Sequence, residues 1–382
     1  MILKKKIYIL FMIICFLNFC QKRKDKVAYK EIDFKSISIE RKILNDFWRV
    51  GKIKKVVKLE VKRNSLIGNI DHVIRNKNGD FYVGDYDSSK RILRFNQYGD
   101  FINSIGTIGQ GPGEYNHIFG FALNSDGSVV LLTANKIIKF DKYGNLIKEK
   151  RINYHALDIA IIDDLIYIYI LRYLYSPKIK KAILILNSDF SKIGEIYPYD
   201  TRFEKFSFLP NKIFSKSNNN LSFIDIYDFR LQIFNPKSKK IYQLQIPNEN
   251  ANLDVIWEKR SLTEKDKTEI KKRIHRFNFI FAYNDGLFLN EYCIGKKIYD
   301  YWILNLEKKK AIIFHYYPSS EFLAKNFFFD RIVGSYEKGV IGVFNDDERF
   351  NKYKEDFPAL KDIEFTIEDN PILALFEFDK FE

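Results

Sequence analysis

Six near-copies of one strand–turn–strand phrase, a spacing in the middle forties, and strands apolar on both faces predict an all-β chain folded as a six-bladed β-propeller. The clearest copy runs from Arg91 to Ile105. Apolar residues lead to Asn96, Gly99 follows three residues later, and a second apolar run begins. The phrase returns around Asp141, Asn187, Asn235, Asn305 and Asp379. Successive anchors lie 45, 46, 48, 70 and 74 residues apart.

A second turn precedes each anchor, at Asn78-Gly79, Asp126-Gly127, Asp163-Asp164, Asn219-Asn220, Asp285-Gly286 and Lys338-Gly339. Each unit therefore holds two hairpins with Asn/Asp/Gly turn chemistry. In Ile166–Ile170 and Val129–Leu132 both alternating faces are apolar. A sandwich strand normally turns one polar face to water, whereas a blade is buried between two neighbours.

From the N-terminus, residues 1–20 read as an export leader. Lys4-Lys5-Lys6 precedes an apolar run, Ile7 to Phe19, that is shorter than the ~20 residues a spanning helix needs. Leu17-Asn18-Phe19-Cys20 resembles a lipobox, with Cys20 the expected lipidation site and Phe19 larger than the small residue that pattern wants. Ordinary signal-peptidase cleavage and an uncleaved anchor are the rival readings. Residues 21–53 lack a clear period and read as a tether with one short ordered piece. Residues 54–382 read as the propeller domain. Within it, 54–61 is a strand without a hairpin partner, and the last unit supplies only three strands. The expected closure pairs 54–61 with 372–378 as the outer strand of blade 6.

Two inserts stretch the later steps. Residues 261–277 read as a helix between blades 4 and 5, with Thr263 as N-cap and Ile270, Ile274 and Phe277 on one side. Residues 345–370 read as a charged, solvated loop in blade 6. Of three cysteines, Cys15 lies in the leader and Cys293 sits in a strand run, so no disulfide is expected and Cys293 reads as a buried thiol.

Between blades 1 and 2 stands Gly109-Gln110-Gly111-Pro112-Gly113-Glu114-Tyr115. No Lys-Ser/Thr follows, so it is not a phosphate loop. Three glycines and a proline suit a fixed crossing between blades, with Gly111 expected at positive φ. This motif, together with Asn370-Pro371-Ile372-Leu373-Ala374-Leu375-Phe376-Glu377-Phe378, resembles the six-bladed β-propeller lipoproteins of bacteria, relatives of the NHL-repeat propellers. The resemblance spans roughly residues 54 to 382. It implies fold and export more than activity.

Net charge is +14, yet an exported chain rarely meets nucleic acid, and none is expected as a partner. The lysines gather at expected hairpin tips, in 178–181, 237–240 and 308–310. Candidate ligand residues at a channel mouth are Gln110, Glu114, Asp71 and Asp158. His72, His117 and His155 open blades 1 to 3, but their offsets from the following turns differ, so a shared metal is a weak expectation. Asp71, Glu114, Asp158 and Asp225 are the oxygen donors a channel calcium would need. No nucleophile-elbow motif is present. The favoured reading is a membrane-anchored, exported, monomeric binding or scaffolding protein for a protein, peptide or glycan, without a cofactor. The alternative is a metal-dependent hydrolase or lyase in the channel.

Overall fold

The computed structural model describes residues 27–171, 181–198, 212–224, 230–245, 275–284, 286–293, 298–316 and 329–379, with Thr263 and Lys265. The leader, Cys20, Asp225 and most of the expected helix over 261–277 lie outside the described residues. The end of that stretch, from His275, opens a strand.

Six antiparallel sheets form the blades. Blade 1 holds β4 (His72–Arg75), β5 (Phe81–Asp85), β6 (Arg91–Phe95) and β7 (Phe101–Ser104). A short parallel pair, β8 (Thr107–Ile108) and β9 (Glu114–Tyr115), leads to blade 2. Blade 2 holds β10 (Gly120–Leu123), β11 (Val129–Leu132), β12 (Lys136–Phe140) and β13 (Leu146–Arg151). Blade 3 holds β14 (His155–Ile162), β15 (Leu165–Leu171), β16 (Lys181–Leu186) and β17 (Lys192–Pro198). Blade 4 holds β18 (Phe214–Ser217), β19 (Asn220–Ile224), β20 (Arg230–Asn235) and β21 (Lys240–Gln245). Blade 5 holds β22 (His275–Tyr283), β23 (Gly286–Cys293), β24 (Ile298–Asn305) and β25 (Lys310–Tyr316). Blade 6 holds β26 (Arg331–Tyr336), β27 (Gly339–Phe344) and β28 (Ile372–Phe378).

The fourth strand of blade 6 is β3 (Gly51–Lys58), antiparallel to β28. The expected closure is therefore present, with its N-terminal strand starting three residues earlier than 54. Asn370 secures the seam. Its Nδ2 donates to the carbonyls of Glu60 and Ser65 and its Oδ1 accepts from Ile67 N, all within 3.0 Å. That explains the Asn at the head of the closing-strand motif.

The stretch read as a tether is structured over its described part. β1 (Ala28–Ile32) adds to the outer edge of blade 4 and β2 (Ser38–Ile43) to blade 5, both in parallel. A 3-10 turn, Leu44–Arg49, then drives Phe47 into the seam between blades 5 and 6. Phe47 is fully buried and stacks on Phe376 at 5.1 Å.

Turn length explains why those two blades take a fifth strand. In blades 1, 2 and 3 the outer hairpin turn has five residues: 96–100, 141–145 and 187–191. Gly99, Gly144 and Phe190 there adopt positive φ. The register then slips, leaving Ile102, Ile147 and Ile193 as unpaired bulge residues. A bulge breaks the ladder and twists an edge away from further pairing. In blades 4 and 5 the turn has four residues, 236–239 and 306–309, and the register runs unbroken. Those regular edges receive β1 and β2.

Six apolar clusters fill the gaps between neighbouring blades. The two-sided burial expected of Val129–Leu132 and Ile166–Ile170 follows from this arrangement. The blade 6 insert is not a free loop. Its helix, Asp347–Tyr353, is capped by Asp346 accepting from Arg349 N, and Phe350, Leu360 and Phe365 are buried against blade 6.

Candidate functional site: the mouth of the central channel

The inner strands β4, β10, β14, β18, β22 and β26 line the channel side by side. Contacts from β26 to β4 step forward together, Arg331 with Asp71 and Glu337 with Arg75, so the strands run the same way. Their starts form one face, the mouth. The turns after them, and the outer hairpin turns, form the opposite face.

At the mouth, carboxylates meet backbone amides. Asp158 is nearly fully buried on β14, next to the bulge at Leu157. Its Oδ2 accepts from Ile213 N at 3.0 Å and Phe214 N at 2.8 Å, the start of the next blade. Its Oδ1 accepts from Lys212 Nζ at 2.7 Å. Asp71 accepts from Tyr86 N at 2.7 Å and Asn69 Nδ2 at 2.8 Å, with Arg331 at 3.5 Å. Burial pushes the Asp71 carboxyl up, against the pull of the Tyr86 amide and Arg331. Asp85 holds Gly68 N, Asn69 N and Ser88 N. Asp330, placed in blade 6 as Asp71 is in blade 1, holds Asn345 N, Asp346 N and Arg349.

Between these groups lie neutral rings. His72 is buried, with Nδ1 3.5 Å from Tyr86 Oη and its ring 5.2 Å from Phe121 of blade 2. Burial, and then the charge of Lys212, hold the imidazole well below 6.5. Burial, and then Asp158 and Asp71, raise the Tyr86 phenol well above 10.0. The mouth therefore exposes part of one neutral ring, Tyr86, backed by the buried His72 and Phe121 and flanked by the Lys212–Asp158 and Arg331–Asp71 pairs.

The remaining candidates fall elsewhere. His117 is exposed on the crossing loop, and His155 is half-buried at the first position of β14. Among the described residues no three His, Cys, Asp or Glu side chains gather as a metal site. Gln110 is exposed. Glu114 turns onto its own loop, accepting from Gly111 N at 2.8 Å, and a Cβ at Gly109 would collide with it. The loop is anchored further by Gly113 N donating to Glu149, by Lys136 Nζ donating to Gly111 O, and by Tyr115 Oη donating to Ile105 O. Its positive-φ positions are Gly109, at +157°, and Gly113, at +72°, and not Gly111. Sequence reasoning missed Tyr86, Lys212 and Arg331. The available signal was an Asp just before an inner strand, at 71 and again at 330.

A second concavity of about 840 Å³ lies outside the ring, between β2 and the blade 5–6 seam, lined in part by Ser38, Glu40, Arg49, Lys310, Phe378 and Asp379.

The chain is similar to the crystal structure of a Bacteroides fragilis protein named "Putative exported protein". The TM-score is 0.70 at 15% identity, covering 92% of this chain and 100% of that one. The allergen Mala s 1 of Malassezia sympodialis gives a TM-score of 0.46 at 10% identity, with 86% and 98% covered. No curated protein matches the sequence. Residues 44–377 match a family described as a domain of unknown function, DUF4934, and the chain belongs to that family.

Proposed function

We propose that this chain is an exported, envelope-anchored binding or scaffolding protein that captures its ligand at the channel mouth. One observation carries the reading. The acidic groups at the mouth are spent on the frame: Asp158, Asp71, Asp85 and Asp330 each hold backbone amides. What stays accessible beside them is Tyr86, half-buried and 3.5 Å from the buried His72, with the Arg331 and Lys212 side chains next to it. Such a surface suits a polar, uncharged stretch of peptide or glycan, held by one aromatic ring and by hydrogen bonds rather than by ion pairs. The leader, the lipobox-like Cys20 and the similarity to a protein named as exported support the location.

A thermal-shift screen of peptides and glycans tests this, using the wild type, Tyr86→Phe and Arg331→Ala. The expected outcome is a ligand that raises the wild-type melting temperature and loses its effect in both variants. Metal-dependent turnover of ester or lactone substrates, abolished by Asp158→Asn, would replace this reading with the hydrolase one.

A further inference from the structure

The face opposite the mouth gathers features that no ligand at the mouth would use. Each outer hairpin turn projects there, by the alternation of strand direction within a blade. In blades 1 and 2 the turns carry Tyr98 and Tyr143, 70% and 63% exposed. Just beyond the turns of blades 1, 2 and 3, the bulges display Ile102, Ile147 and Ile193 at 42%, 54% and 54% exposure. In blades 4 and 5 the turns are lysine-rich tips, with Lys237, Lys239 and Lys240 on one and Lys308, Lys309 and Lys310 against the single acid Glu307 on the other. The acids of the first three turns are engaged locally. Asp100 accepts from Asn96 Nδ2, Asp141 from Asn145 Nδ2, and Asp189 pairs with Lys148. Asp163 and Asp164 belong to an inner turn, nearer the channel.

The N-terminal segment joins the propeller at this same face. β1 begins where Ala28 N donates to Lys239 O, beside the blade 4 lysine tip. Only residues 21–27 separate Ala28 from Cys20, a span of at most roughly 28 Å. A lipid on Cys20 would hold this face, and not the mouth, toward the membrane.

We propose that the turn face docks on an anionic lipid bilayer, with the blade 4 and 5 lysines over the headgroups and Tyr98, Tyr143, Ile102, Ile147 and Ile193 at the interface. Exposed tyrosine and isoleucine sharing one face with lysines, the former on blades 1 to 3 and the latter on blades 4 and 5, is the composition that binds such an interface. The tips lie on one side of a disc, so a flat surface reaches all of them while the mouth stays open on the other. The proposal rests on the export and anchoring proposed above, whereas its test does not.

Unlipidated protein, residues 21–382, carries every described blade and is mixed with phosphatidylglycerol–phosphatidylcholine vesicles or pure phosphatidylcholine vesicles, then floated. The wild type should bind the anionic vesicles, with binding falling as salt rises. Lys237→Glu with Lys308→Glu, and separately Ile102→Ser with Ile147→Ser and Ile193→Ser, should each lower binding roughly tenfold. Lys90→Glu, at the mouth face, should bind as the wild type does. Absence of wild-type binding to anionic vesicles overturns the proposal, as does an equal loss in Lys90→Glu. A failure of lipidation at Cys20 in cells, with vesicle binding intact, overturns the anchoring alone.

Discussion

The carboxylate of Asp158 and the ammonium of Lys212 meet at 2.7 Å across the junction of blades 3 and 4, and both are largely buried. The same carboxylate holds the Ile213 and Phe214 amides, so one side chain joins two inner strands. Removing one member of a buried pair leaves the other uncompensated, at about 3–5 kcal/mol. Asp158→Ala should lose about that much, because two amides are orphaned along with Lys212. Lys212→Met should lose less, since Asp158 keeps both amides. Urea unfolding midpoints measure the order, and a Lys212→Met loss as large as that of Asp158→Ala contradicts it.

Acid should loosen the ring through His72. Its imidazole titrates below 6.5 in the fold because of burial and Lys212, so the unfolded chain binds a proton that the folded chain refuses. This contribution to stability is complete above pH 6.5 and declines as pH falls from there toward the depressed folded value. His72→Phe should flatten the pH dependence of the urea midpoint over that interval. An unchanged slope in the variant contradicts the assignment.

Gly113 should tolerate substitution less well than Gly111. Alanine at Gly113 enters the left-handed region, which costs about 1–2 kcal/mol, and its Cβ presses on Leu146. Alanine at Gly111 meets only the Glu114 carboxylate, and its backbone needs no positive φ. Thermal melts should show the larger drop for Gly113→Ala. Equal drops would remove the backbone explanation.

The N-terminal strap should prove structural. Deleting residues 28–43 bares the regular edges of blades 4 and 5, and light scattering should report aggregation. Phe47→Ala empties a fully buried site at the blade 5–6 seam and should cost about 3–5 kcal/mol. A soluble, unaltered deletion variant would show that the strap is dispensable.

Lipidation is tested directly in cells. Labelled palmitate should enter the wild type and be absent from Cys20→Ala. Equal labelling of the two excludes Cys20 as the attachment site.

The blades were legible in the sequence because each strand is buried on both sides, and that burial writes long apolar runs between turn residues. The closure was legible by counting strands, one to spare at 54–61 and one missing from the last unit, and Val56 and Val57 do face apolar partners in β28. The strap was not. β1 reads AYKEI and β2 reads SIERKI, with most side chains exposed, because these strands are held by one backbone ladder at an outer edge. With no buried face there is no hydrophobic period to read. Asp71 and Asp158 were candidates only as oxygen donors near the channel, with no spacing to single them out, because their partners Tyr86 and Lys212 come from other strands and loops.

The seam between β3 and β28 joins residues more than three hundred positions apart. During synthesis the first strand emerges long before its partner exists. Until Ile372–Phe378 arrives, blade 6 lacks its third strand and β3 has nothing to pair with. Closure is thus a late, slow event set by the longest loop in the chain. That delay leaves open sheet edges on which non-native pairing can start.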